Sequence, residues 1–229
     1  MNVRDRTRGV LPFLALGVVG WLFDWIRLRD PVPTAVESGF YTGQVDVHLL
    51  GFPTGVQVTG LWSGTLYGLR LPSLIEILGL YAALHAVAAV VAGVAYARML
   101  PDAPRPTPAV YARLFVVALL ATALVHPLFA VARVEFLLVV AYLFVLVLGV
   151  LPTLLLVGPT LVAERASVRD AWRMAEARLH GQRARVLVGL LLVGVAADAL
   201  VSAPVAGGFL GTAGGGFAYA VLATRAYAT

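Results

Sequence analysis

The sequence predicts an all-α fold, a polytopic membrane bundle of six transmembrane helices forming one domain over residues 1–229, and three observations carry that expectation. First, 60% of the residues are hydrophobic and only 13% are charged, with a mean hydropathy of +0.89, which is too apolar for an ordinary water-soluble domain. Second, apolar segments at about residues 10–28, 72–98, 109–132, 136–158, 185–202 and 205–224 alternate with polar connections. Third, the arginines sit at the ends of these segments. With the termini on one side, 13 arginines fall on that side and 4 on the other. The positive-inside rule then makes both termini cytoplasmic in a plasma membrane.

The first apolar segment follows Arg4, Arg6 and Arg8 and ends in Asp24, Trp25, Arg27 and Arg29. Bulky and charged residues at its end argue against a cleaved signal peptide and for a span anchored by Trp21 and Trp25. Residues 30–71 form a long outer loop rich in Gly, Pro, Ser and Thr. Two short alternating runs, residues 45–49 and 56–59, are separated by Gly51, Pro53 and Gly55, a pattern read either as a small hairpin or as an irregular cap on the bundle.

Residues 72–98 span a core of roughly 30 Å at about 1.5 Å per residue. Ala89, Gly93 and Ala97 give this segment a stripe of small side chains for close packing. The Pro-rich turn 101–108 ends it, and Arg133 to Glu135 is a tight turn before the fourth segment. Pro152 and Pro159 predict a kink near that segment's cytoplasmic end.

Ser167, with Asp170 three residues later, is a capping-box pattern that opens an amphipathic interfacial helix over residues 168–180, and Gly181 is placed to close it. Val168, Ala171, Trp172, Ala175 and Leu179 share one face of that helix. Gly207, Gly211 and Gly215 then form two overlapping small-residue motifs in the last segment, read as packing within the bundle rather than dimerisation.

The stretch with Pro159, Glu164, Ser167, Ala171 and Gly181 resembles a superfamily of poorly characterised six-helix membrane proteins. That superfamily includes the membrane domain fused to some glycerophosphodiester phosphodiesterases. Its pattern has a Ser four residues after the Ala, where this chain has Ala175. The resemblance implies a fold and a topology but no activity.

Ionisable residues inside apolar segments are the natural candidates for a site. Counting along the helices from Arg98, Arg113 and Arg185 puts His85, His126 and Asp198 at one depth, about 20 Å from the arginine level, with Asp24 and Glu76 near the same layer. Each of the first three shares a helical face with small or hydroxyl residues. Three uses are consistent with this layer: a proton relay or solute site, a divalent metal held by two imidazoles and a carboxylate, or local hydrogen bonds that only fix packing. Lone His48 and His180 read as solvated or interfacial.

Other chemistry finds no signature. The chain has no Cys, which excludes disulfides and thiolate chemistry, and it has neither a Lys-containing phosphate loop nor a hydrolase motif. No cofactor is expected. The pI near 10.0 reflects arginines that flank apolar segments, so the expected partners are anionic membrane lipids and other membrane proteins rather than nucleic acid. Arg165, Arg169, Arg173, Arg178, Arg183 and Arg185 are the expected headgroup contacts. The function expected is that of a non-enzymatic accessory, anchoring or lipid-interacting protein. A small transporter using the His85/His126/Asp198 layer is the alternative, and a lipid-modifying enzyme using Asp24, Glu76 and Glu135 is a third reading.

Overall fold

The computed structural model describes residues 3–29, 35–36, 48, 50–60, 69–125, 141–142 and 144–229. Seven helices account for most of them: α1 (Val3–Arg29), α2 (Leu71–Met99), α3 (Pro108–Val125), α4 (Val145–Glu164), α5 (Val168–Arg178), α6 (Arg183–Val201) and α7 (Gly207–Ala228). Two-residue strands β1 (Ala35–Val36) and β2 (Thr59–Gly60) pair antiparallel, Ala35 with Gly60 and Val36 with Thr59.

Four helical stretches are long and apolar enough to cross a membrane: Gly9–Arg29, Leu71–Met99, Val145–Glu164 and Arg183–Val201. Pro108–Leu124 is a shorter apolar helix, and α7 is long but diluted by glycine. By length and composition the described residues thus supply four of the six expected spans. Residues 126–140, which hold the end of the third expected segment, the Arg133 to Glu135 turn, the start of the fourth and His126, lie outside the described residues.

Burial follows a pattern suited to a lipid solvent. Every residue from Leu151 to Val162 is buried, so this part of α4 is enclosed on all sides and forms the core. The outer face of α1 instead exposes Leu11, Leu14, Val18, Trp21, Leu22, Trp25 and Leu28 at helical spacing. Such a continuous apolar exterior would be costly in water. The arrangement is compatible with an integral membrane protein.

Residues 145–150 of α4 wind as a π-helix, with Leu151 N–H bonded to Leu146 O. The cause is local: Pro152 has no N–H and its ring crowds the carbonyl one turn earlier, and widening that turn relieves the clash. Thr153 recovers a bond by donating its hydroxyl to Gly149 O at 3.1 Å.

The arginine-rich loops gather at one end of the bundle. Arg113 donates to Arg165 O and Ala166 O at 2.9 and 2.8 Å, Arg165 donates to Arg105 O at 3.3 Å, and Gln182 donates to Ala226 O at 3.2 Å. The α2–α3 and α4–α5–α6 connections and the C-terminal end of α7 therefore share that end. Ser167 caps α5 as its spacing predicts, accepting from Asp170 N–H at 3.2 Å. The helix stops at Arg178, two residues before the expected end, and Gly181 takes a left-handed φ of 83° in the turn that follows.

Candidate functional site

The connection between α1 and α2 is where the structure departs most from the sequence reading. Among its described residues, 50–58 do not lie on top of the bundle but are inserted into it. Tyr219, in the middle of the 22-residue α7, donates its hydroxyl to Gly51 O at 3.0 Å. Thr54 N–H folds back to Phe52 O at 2.7 Å, closing a three-residue turn around Pro53 at the tip. The chain then climbs along α7, with Val56 N–H donating to Gly211 O at 3.1 Å and Thr212 donating its hydroxyl to Val56 O at 3.2 Å. At about 1.5 Å per residue, the contacts at Gly216 and Tyr219 place the tip about 14–18 Å below the first residue of α7. Gly51, Phe52, Pro53, Gly55 and Val56 are all buried.

Glycines make this insertion possible. Gly55 has φ +70°, and a Cβ there would lie 2.3 Å from Thr212 O. On α7, a Cβ at Gly211 would meet Val56 O at 2.6 Å, and one at Gly216 would meet Pro53 O at 3.0 Å. The small-residue stripe of α7 therefore serves the inserted backbone as well as the neighbouring helix. Residues 45–47 and 49 lie outside the described residues. Of the second alternating run, Thr59 pairs with Val36, and the first run of the hairpin considered above lies almost wholly outside the described residues.

Two buried carboxylates meet the α1–α2 connection. Asp24 of α1 is 4% exposed and accepts from Val58 N–H at 3.0 Å, from Thr59 N–H at 2.9 Å and from the Thr59 hydroxyl at 2.8 Å. Both of its oxygens are engaged. Asp198, in the last turn of α6, has a side chain 1% exposed. It accepts from His48 Nε2 at 3.1 Å through Oδ1, while Oδ2 is buried and has no hydrogen-bond partner among the described residues. The His48 side chain is 21% exposed and so links the buried acid to the surface.

The remaining candidates are placed separately. His85 is buried on α2, with Nδ1 2.6 Å from Tyr81 O and Nε2 2.5 Å from Thr122 Oγ1. A carbonyl only accepts, so Nδ1 carries hydrogen toward Tyr81 O, and the Thr122 hydroxyl beside Nε2 donates to Ala118 O at 3.1 Å. Glu76 is exposed near the start of α2, and His126 lies outside the described residues. Among the described residues, no group of three or more His, Asp or Glu is arranged to hold a metal ion. Thus His85, Asp24 and Asp198 each engage a different partner, and His48, read from sequence as solvated, belongs with Asp198. The signal was thin: a lone imidazole between apolar residues, whose acid lies 150 positions away.

At the arginine-rich end, Ala171, Ala175 and Leu179 of α5 and its following turn are buried, and α5 packs on α4. Arg165, Arg169, Arg173, Arg178, Arg183 and Arg185 are all exposed. Two of them are also paired, Arg178 with Glu164 at 3.0 Å and Arg183 with Glu176 at 4.0 Å. The Arg178 guanidinium lies 4.1 Å from the Tyr227 ring centre, and Tyr227 donates its hydroxyl to Glu164 at 2.8 Å. Comparison of the chain with protein-family models, with curated proteins and with solved structures finds no match.

Proposed function

We propose that this is a multi-pass plasma-membrane protein of six spans with both termini cytoplasmic. Its role is that of a non-enzymatic accessory or anchoring protein that holds anionic lipid headgroups through α5 and its flanking arginines. The observation that carries the reading is the division of α5, whose Ala171 and Ala175 are buried while Arg169 and Arg173 stand exposed. Docked on α4 through its apolar face, α5 turns its basic residues outward, where an anionic headgroup layer can meet them. Each such Arg close to an anionic surface contributes about 1 kcal/mol. The exposed apolar residues of α1 supply the lipid-facing wall that the six-span topology requires, and the resemblance of residues 159–181 to six-helix membrane proteins points the same way.

The test is lipid retention. Protein extracted from bilayers of mixed phosphatidylcholine and phosphatidylglycerol is expected to keep phosphatidylglycerol preferentially in native mass spectra. A variant carrying Arg169→Glu, Arg173→Glu and Arg185→Glu, which spares the paired Arg178 and Arg183, is expected to lose that preference. An unchanged lipid ratio in the variant would overturn the reading.

A further inference from the structure

We propose that Asp198, with His48 beside it, is a binding site for a small monovalent cation of the Na+ class, reached from the end of the bundle opposite the α4–α5–α6 arginine cluster. Three observations converge on it. Asp198 Oδ2 is buried without a partner, and a buried carboxylate oxygen left unmatched is costly. Protonating Asp198 does not cure this, because a proton on Oδ2 creates a donor with no acceptor in place. The missing partner therefore comes from outside the described residues.

The position of Asp198 sets the sign of that partner. It sits in the last turn of α6, where the aligned peptide dipoles present their negative end, so carboxylate and helix terminus add. Asp24 has the opposite setting. A Cβ on Gly208, in the first turn of α7, would lie 2.3 Å from Asp24 Oδ2, at a positive helix end, and three donors already saturate it. Two buried acids thus meet the α1–α2 connection, and the one in the negative field is the one left open.

A single charge fits best. Asp198 is the only charged residue of α6 beyond Arg185, and α7 has none before Arg225. The other ionisable side chains described toward this end are His48 on the α1–α2 connection, Asp24, Arg27 and Arg29 on α1, and Arg70 and Glu76 at the start of α2. One cation neutralises one carboxylate, whereas divalent ions usually draw several acidic or imidazole ligands, and among the described residues no such group forms. Irregular backbone and helix C-terminal ends inside a helical bundle are the surroundings in which Na+ is held elsewhere. The partly exposed His48 marks the way in.

The experiment is thermal unfolding of the full chain in detergent at fixed pH, with NaCl titrated against choline chloride at constant ionic strength. Na+ is expected to raise the Tm saturably in the native sequence, as a ligand of the folded state does, and to leave Asp198→Asn unmoved. No difference between Na+ and choline in the native chain would overturn the proposal, as would an equal Na+ response in Asp198→Asn. If that variant does not fold, Asp198→Glu keeps the charge but moves the oxygens. A changed half-saturating Na+ concentration supports the site, and an unchanged one overturns it.

Discussion

Asp24 and Thr59 are joined twice, by the Thr59 backbone N–H at 2.9 Å and by its hydroxyl at 2.8 Å. One side chain of α1 thereby fixes both the position and the rotation of the strand that leaves the inserted segment. Val58 adds a third donor to the same carboxylate. Because donors surround the group, replacing one oxygen by NH2 sets donor against donor. Asp24→Asn is expected to cost about 2–4 kcal/mol, the scale of losing charge-assisted hydrogen bonds and stranding buried donors. Glu76→Gln, an exposed acid on α2, is expected to stay within about 0.5 kcal/mol. Unfolding of the two variants by denaturant, in the same detergent, separates them.

Gly55 decides whether the segment can seat at all. Its left-handed φ and the Thr212 backbone 2.3 Å from a Cβ position leave no room for a side chain, and the obstacle is helix backbone that cannot rotate away. The absence of Cys in the chain permits a clean readout. A cysteine introduced as Thr54→Cys is expected to react slowly with a water-soluble maleimide in the otherwise native chain. Adding Gly55→Val is expected to speed that reaction at least about tenfold by favouring the unseated state. Equal rates would show that the segment is not held by this contact.

At the other end of the molecule, the Tyr227 phenol, beyond Arg225, is pushed up to about 12. Partial burial is the main cause. The hydrogen bond it donates to Glu164 adds to it, and the Arg178 guanidinium works in the opposite direction. The folded state thus holds this proton more tightly than the unfolded chain does. The resulting stability is fully present below about pH 10, the usual phenol value, and is lost as pH rises through about 12. Glu164→Gln is expected to shift the spectrophotometric titration of this tyrosine downward, since the acceptor loses its charge. An unmoved titration would mean that burial alone sets it.

How much of this was legible in the sequence depends on the range of the interactions. The helices were readable because apolar runs and punctuating Pro, Gly and Ser residues act locally; Ser167 and Asp170 cap α5 as their spacing suggests. The π-helical turn was only half readable, since Pro152 signals a disturbance but not the form it takes. The inserted segment was hidden because Gly51-Phe-Pro-Thr-Gly55 is also the composition of a surface turn. Its destination is written on α7, in the glycines and in Thr212 and Tyr219. The pairing of His48 with Asp198 was hidden for the same reason. Asp198 was recognised as an awkward residue, but its companion could not be found by counting along α6.

The hydrogen bond from Tyr219 to Gly51 spans 168 positions of sequence, and this bears on how the molecule is made. A ribosome adding about 5–20 residues per second needs roughly 10–30 s to go from one to the other. Throughout that interval the inserted segment has no α7 to rest on. Its seating is therefore a late event, following delivery of α7, and a chain stalled before Tyr219 would carry its earlier helices with the α1–α2 connection still undocked and open to proteases.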